Sequence, residues 1–91
     1  IFMVQASESR RAEVLAIASA LRDQGYSVDL PLTLTKVNGQ LQKAVKSGAR
    51  AALIVGDEFP VMELRDLGAR TSSSVAMDDL FDAVASLTGS N

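Results

Sequence analysis

Cysteine, histidine and tryptophan are absent from this 91-residue chain. Without thiolates or imidazoles the usual zinc ligands are missing, and no Ser–His or Cys–His relay can be built. The lack of disulfides fits a reducing compartment. No apolar run approaches the ~20 residues that span a bilayer, and no signal-peptide pattern opens the chain, so the cytoplasm is the expected location and no membrane partner is expected. Positive charge is also scarce. Nine Lys and Arg face eleven Asp and Glu, a net charge of −2. That balance argues against a non-specific phosphate binder, but not against a module that reads a few exposed bases. Glycine and serine motifs are missing where catalysis would need them. The first strand is followed by Gln5-Ala6-Ser7-Glu8 rather than spaced glycines, which argues against a Rossmann or P-loop role. No serine lies in a Gly-x-Ser-x-Gly elbow. No catalytic residue can be named.

What remains is ordinary globular composition, 47% hydrophobic and 22% charged, in a length that suits a single domain over residues 1–91. Residues 2–5 read as a short apolar strand. A strand at the first residue, with no initiator Met, is expected to continue a longer chain. Ser7 and Ser9 offer helix N-caps before a helix over 10–24, in which Val14, Ile17, Ala18 and Leu21 share a face and Gly25 supplies the C-terminal cap. Tyr26, Val28 and Leu30 alternate with Ser27 and Asp29 as a strand that Pro31 ends.

Residues 35–47 keep a helical period through Val37, Leu41, Ala44 and Val45, with Gly48 as cap. Asn38-Gly39 is also a hairpin signal, with residues 34–37 as a first arm, and Gly39 costs a helix about 1 kcal/mol. The helix is the preferred reading. Residues 51–55 form a continuous apolar run, as in a strand covered on both faces. Strands over 61–67 and 71–77 follow, joined by a turn at Leu67-Gly68-Ala69-Arg70. Asp78 is placed to cap a last helix with Leu80, Phe81, Val84 and Leu87 on its core face, and residues 89–91 to fray. The order β-α-β-α-β-β-β-α predicts an α/β fold. Its mixed sheet has about five strands, parallel in the first half and ending in a hairpin, with three flanking helices.

Two polar groups stand out. Asp57-Glu58, with Glu63 and Asp66 nearby, follows the central apolar strand, where open α/β sheets place ligands. The cluster reads either as a solvated loop or as a binding site, for which Mg²⁺ or acid–base chemistry is conceivable. Lys36, Gln40 and Lys43 form a polar helical stripe, which alone reads as a wet face. The serines Ser72-Ser73-Ser74 read as the solvated part of an edge strand.

The succession of motifs resembles a known family. Ala18, Leu21-Arg22, Gly25-Tyr26 and Val28 are followed by Lys36, Gln40-Leu41 and Ala44. Next come Ser47-Gly48-Ala49-Arg50, the apolar run into Gly56-Asp57-Glu58, and Glu63-Leu64-Arg65-Asp66-Leu67. Together these resemble the C-terminal anticodon-binding domain of class II aminoacyl-tRNA synthetases. The Ser-Gly-Ala-Arg and Arg-Asp-Leu segments are most similar to the histidyl enzymes. The resemblance covers nearly the whole chain. It implies a small mixed sheet with three helices and a role in holding and reading tRNA anticodon bases. It also implies an upstream catalytic domain that would carry ATP, Mg²⁺ and the histidine–tRNA ligase reaction, in a protein that is homodimeric when complete. No cofactor is expected in this segment.

The matching positions carry Lys36 and Gln40 on the second helix, Asp57 and Glu58 after the third strand, and Glu63 and Arg65 on the fourth. Carboxylates and Gln40 would meet open Watson–Crick edges, while Lys36, Lys43 and Arg65 would neutralise phosphates. Phe59 either stacks on a base or plugs the sheet edge. The acidic balance keeps a second hypothesis open, a synthetase paralogue with a regulatory or protein-interaction role and no RNA. A third, a small flavodoxin-like enzyme or ligand-binding domain, rests on the carboxylate cluster alone.

Overall fold

A computed structural model describes residues 1–30 and 36–88. Strand β1 (Phe2–Gln5) leads through a 3₁₀ turn (Glu8–Arg10) into helix α1 (Arg11–Asp23). Helix α2 (Val37–Lys46), the strands β2 (Ala51–Val55), β3 (Val61–Asp66) and β4 (Thr71–Ala76), a 3₁₀ turn (Met77–Asp79) and helix α3 (Leu80–Thr88) follow. The described strands form a four-stranded sheet in the order β1-β2-β3-β4. β1 and β2 are parallel, and β3 and β4 complete an antiparallel meander. This is the predicted mixed sheet with three helices, one strand short.

The missing strand has a structural reason. Asp29 makes an isolated parallel bridge to Phe2, with Met3 N–H donating to Asp29 at 2.8 Å and Asp29 N–H donating to Ile1 at 2.9 Å. Two residues further along, the outward-facing groups of Gln5 bond a side chain instead. The Gln40 amide oxygen accepts from Gln5 N–H at 2.8 Å, and its NH₂ donates to the Gln5 carbonyl at 2.8 Å. A side-chain amide thus does for β1 what a neighbouring strand would otherwise do. Pro31, the expected strand end, lies outside the described residues, as do the first arm of the alternative hairpin at residues 34–35 and the fraying end at 89–91. Asn38 and Gly39 lie inside α2, so the helical reading holds.

The sheet has two apolar faces. On one, Met3, Leu53, Val55, Met62, Leu64 and Val75 pack against Val14, Ile17, Ala18 and Leu21 of α1 and Leu80 and Val84 of α3. On the other, Phe2, Val4 and Ala52 pack against Ala44, Val37 and Leu41 of α2. Ala51 and Leu53 are fully buried, as the unbroken apolar run in β2 predicts.

Caps behave less simply. Neither Ser7 nor Ser9 caps a helix through its side chain: their hydroxyls bond each other at 3.0 Å, and the N-cap of α1 is Arg10. Asp78 lies inside a 3₁₀ turn whose N-cap is Ala76 and makes no cap hydrogen bond. The C-terminal ends follow expectation. Gly25 (φ 95°) and Gly48 (φ 77°) occupy the left-handed position that closes α1 and α2. In α2, Gly48 N–H donates to Val45 and Ala49 N–H to Ala44, the two bonds of a Schellman closure, and Gly25 and Tyr26 repeat them on Arg22 and Leu21.

Candidate nucleic-acid interface

Helix α2 covers only the β1–β2 half of its face. Cross-strand register then sets what the other half shows. Glu63 pairs with Ile54 on one side and Ser74 on the other, and Arg65 with Ala52 and Ser72. Side chains of paired residues share a face, so Glu63, Arg65, Ser72 and Ser74 all stand on the α2 side with no helix above them. Met62 and Leu64, one position out of phase, are buried on the opposite face. Arg65 Nε donates to the Glu63 carboxylate, and the two side chains remain 44% and 38% exposed. Among the described residues, nothing bonds the Arg65 terminal nitrogens, which leaves them for an incoming acceptor.

This open face continues in two directions. Beside α2 runs a groove of about 470 Å³ lined by Leu41, Gln42, Val45, Lys46, Arg65 and Leu67. Val45 is 62% exposed there, an apolar shelf that the fold does not use for its core. At the other end, a hollow of about 380 Å³ is lined by Ile54, Asp57, Glu58, Val61, Glu63 and Ser74. The turn holding Asp57 and Glu58 is closed by Phe59 N–H donating to Gly56 and Val61 N–H to Glu58. A Cβ at Gly56 would come within 3.2 Å of the Ala6 Cβ, a tight contact where the ends of β1 and β2 approach. The surface is therefore polarised: carboxylates at the β2 exit, and Arg65 and Lys46 beside α2. Among the described residues the carboxylates do not converge into a group able to hold a metal ion. Asp66 is committed locally, accepting from Gly68 and Ala69 N–H at 3.0 Å.

A family model described as an anticodon binding domain matches residues 1–87. The chain belongs to the anticodon-binding domain family. It is 35% identical over 92 residues to the histidine–tRNA ligase of Mycobacterium marinum, covering 98% of this chain and 22% of that protein. Against the histidine–tRNA ligase of Synechococcus sp. it is 37% identical over 83 residues, covering 86% of this chain and 20% of that one. Histidyl-tRNA synthetase from Nostoc sp. PCC 7120 superposes with a TM-score of 0.83 at 24% identity, covering 91% of this chain and 20% of that chain. The RNA binding domain of threonyl-tRNA synthetase from Cryptosporidium parvum Iowa II gives 0.81 at 14% identity, covering 94% and 22%. At these identities the superpositions establish the fold. The chain spans about a fifth of the length of the curated relatives it matches.

Within this anticodon-binding domain, the eight residues singled out from the sequence divide into two sets. Asp57, Glu58, Glu63 and Arg65 share the open face. Gln40 does not: it is 1% exposed and serves the edge of β1. Phe59 packs against the α1–α3 core, and the Arg10 guanidinium lies 5.5 Å from its ring centroid, so it plugs the edge rather than facing the groove. Lys36 and Lys43 are exposed; Lys36 is the N-cap of α2, with an extended backbone. With Val37, Gln40, Leu41 and Ala44 toward the sheet, the helical period puts Lys43 about 110° to one side of that stripe, and Val45 about 90° to the other. Val45 is the flank beside Arg65. Lys43 thus stands on the β1 side, with α2 between it and the open face. Gln42, Val45, Lys46, Ser72 and Ser74 were missed. The period of β4 against β3 is the signal that would have found Ser72 and Ser74; Val45 reads as part of the apolar helical face, and its exposure comes only from the fold.

Among the described residues, no helix is long and apolar enough to cross a membrane.

Proposed function

We propose that this domain binds the anticodon loop of a tRNA on the uncovered half of its sheet, as part of a histidyl-type synthetase. The observation that carries the reading is the β3–β4 face beside α2, left open and lined with paired polar side chains in a chain of this family. Loop bases are splayed, so their Watson–Crick edges are free to meet side chains. Glu63, Asp57 and Glu58 are acceptors when ionised and suit base amino and imino groups, while Ser72 and Ser74 both donate and accept. Ile54 and Val61 give the acidic hollow an apolar wall against which a base can lie. Arg65 and Lys46 face the strand's phosphates. The aminoacylation reaction, with its ATP and Mg²⁺, belongs to the remainder of the longer, dimeric, cytoplasmic protein that this reading requires.

The test is titration of the chain with an anticodon stem-loop RNA and with the same stem carrying a scrambled loop. Tighter binding to the native loop, weakened by Glu63→Gln, supports base reading. Equal affinity for both loops ends it. No binding to either favours the paralogue without RNA, which the excess of acidic residues also suits.

A further inference from the structure

The end of the open face away from the carboxylates holds a second arginine. A hollow of about 400 Å³ is lined by Val45, Arg65, Asp66, Leu67, Arg70, Thr71 and Ser72, with the Asp66 carboxylate held by the backbone N–H groups of Gly68 and Ala69. Arg70 follows the turn in which Asp66 accepts from two successive backbone N–H groups, and its φ is 58°. That left-handed conformation favours Gly, or Asn with its local hydrogen bonds, and disfavours a long side chain. Arg70 is exposed and, among the described residues, makes no hydrogen bond or ion pair. A disfavoured backbone thus holds an uncommitted guanidinium against a hollow shared with a second guanidinium, the Ser72 hydroxyl and a carboxylate already bonded to the turn. Gly or Asn would suit the turn better, so local stability does not account for an arginine here. Two guanidiniums and the Ser72 hydroxyl suit a tetrahedral oxyanion, for which Arg presents a planar fork of donors.

We propose that Arg70, with Arg65 and Ser72, forms a subsite for a backbone phosphate of the bound RNA. This rests on the anticodon-loop reading above and adds a direction to it: the strand runs from a phosphate anchored at the β3–β4 turn toward bases read at the β2 exit. A phosphate contact carries no sequence information, so its loss weakens every RNA alike and lowers the salt dependence of binding.

The experiment is a salt titration of stem-loop binding between 50 and 200 mM, with native and scrambled loops, for the wild-type chain and the Arg70→Asn, Arg70→Gly and Arg70→Lys variants, alongside chemical denaturation of each. For a single-stranded contact the slope of log affinity against log salt falls by about 0.7. Over that fourfold salt range, wild type then loses roughly 2.5-fold more affinity than Arg70→Asn. Arg70→Lys keeps the wild-type slope. The denaturation midpoints of Arg70→Asn and Arg70→Gly are unchanged or raised. A wild-type slope in Arg70→Asn overturns the subsite while leaving loop binding intact. Loss of discrimination between loops in Arg70→Asn also overturns it, because a phosphate contact cannot do that. Failure of the wild-type chain to bind any loop overturns the reading beneath it.

Discussion

Replacing Gln40 with alanine removes both hydrogen bonds that complete the outer edge of β1. The Gln40 amide is buried and bonds the backbone N–H and carbonyl of Gln5 at 2.8 Å each. Gln5 is itself buried, so water cannot replace these partners without opening the edge. An orphaned buried donor or acceptor costs about 1–3 kcal/mol, so the pair costs about 2–6 kcal/mol before any cavity is counted. A domain of this size has about 5–14 kcal/mol in total. The expected loss of about 3 kcal/mol therefore moves Tm down by roughly 12–24 °C. Urea unfolding followed by circular dichroism measures it, with exposed Lys43→Ala as a control expected within about 0.5 kcal/mol of wild type. Gln40→Glu sharpens the test. A protonated carboxyl has one donor and one acceptor and can replace the amide; a carboxylate cannot donate to the Gln5 carbonyl. Burial raises the folded-state pKa of the introduced carboxyl above its unfolded value of about 4.3, so the bonding form contributes stability at low pH. That contribution is lost as pH rises through the folded pKa, and the deficit against wild type grows from about pH 4 toward pH 8. A Gln40→Ala variant within about 0.5 kcal/mol of wild type would refute the reasoning.

Other outcomes follow from the same geometry. Lys46→Ala and Arg65→Gln weaken stem-loop binding and reduce its salt slope by about 0.7 each, while Lys43→Ala leaves the slope near wild type, as fluorescence anisotropy will show. Gly48→Ala costs about 1–2 kcal/mol in chemical denaturation, for backbone reasons alone, because nothing lies within 4 Å of the added Cβ. Phe59→Ala lowers the denaturation midpoint, yet the folded variant keeps wild-type discrimination between native and scrambled loops.

The large features were legible because single strong signals carried them. The unbroken run Ala51-Ala52-Leu53-Ile54-Val55 placed the central strand, and Gly25 and Gly48 marked both helix ends. The site was half legible. Glu63 and Arg65 share a face by strand period, which can be read one residue at a time. Gln40 and Lys43 of the polar stripe lie away from that face, because a helical period states which residues share a flank, but not which flank meets a neighbouring strand. The sequence places Gln40 on a polar stripe where it would meet base edges, whereas the alternating segment at 26–30 makes a single bridge and the buried Gln40 amide completes the edge of β1. Such non-local substitution of a side chain for a strand leaves no local mark. Arg70 was read as part of a turn, and nothing in Leu67-Gly68-Ala69-Arg70 reveals that arginine rather than glycine takes the left-handed position.

The account depends on the open half of the sheet being the surface that meets RNA. Backbone amide shifts of the ¹⁵N-labelled chain, followed as an anticodon stem-loop is added, test this most directly. The largest changes are expected at Val45, Asp57, Glu63, Arg65, Arg70 and Ser74, with Leu15 on α1 and Asp82 on α3 unmoved. Changes centred on α1 or α3, with β3 and β4 silent, would contradict it.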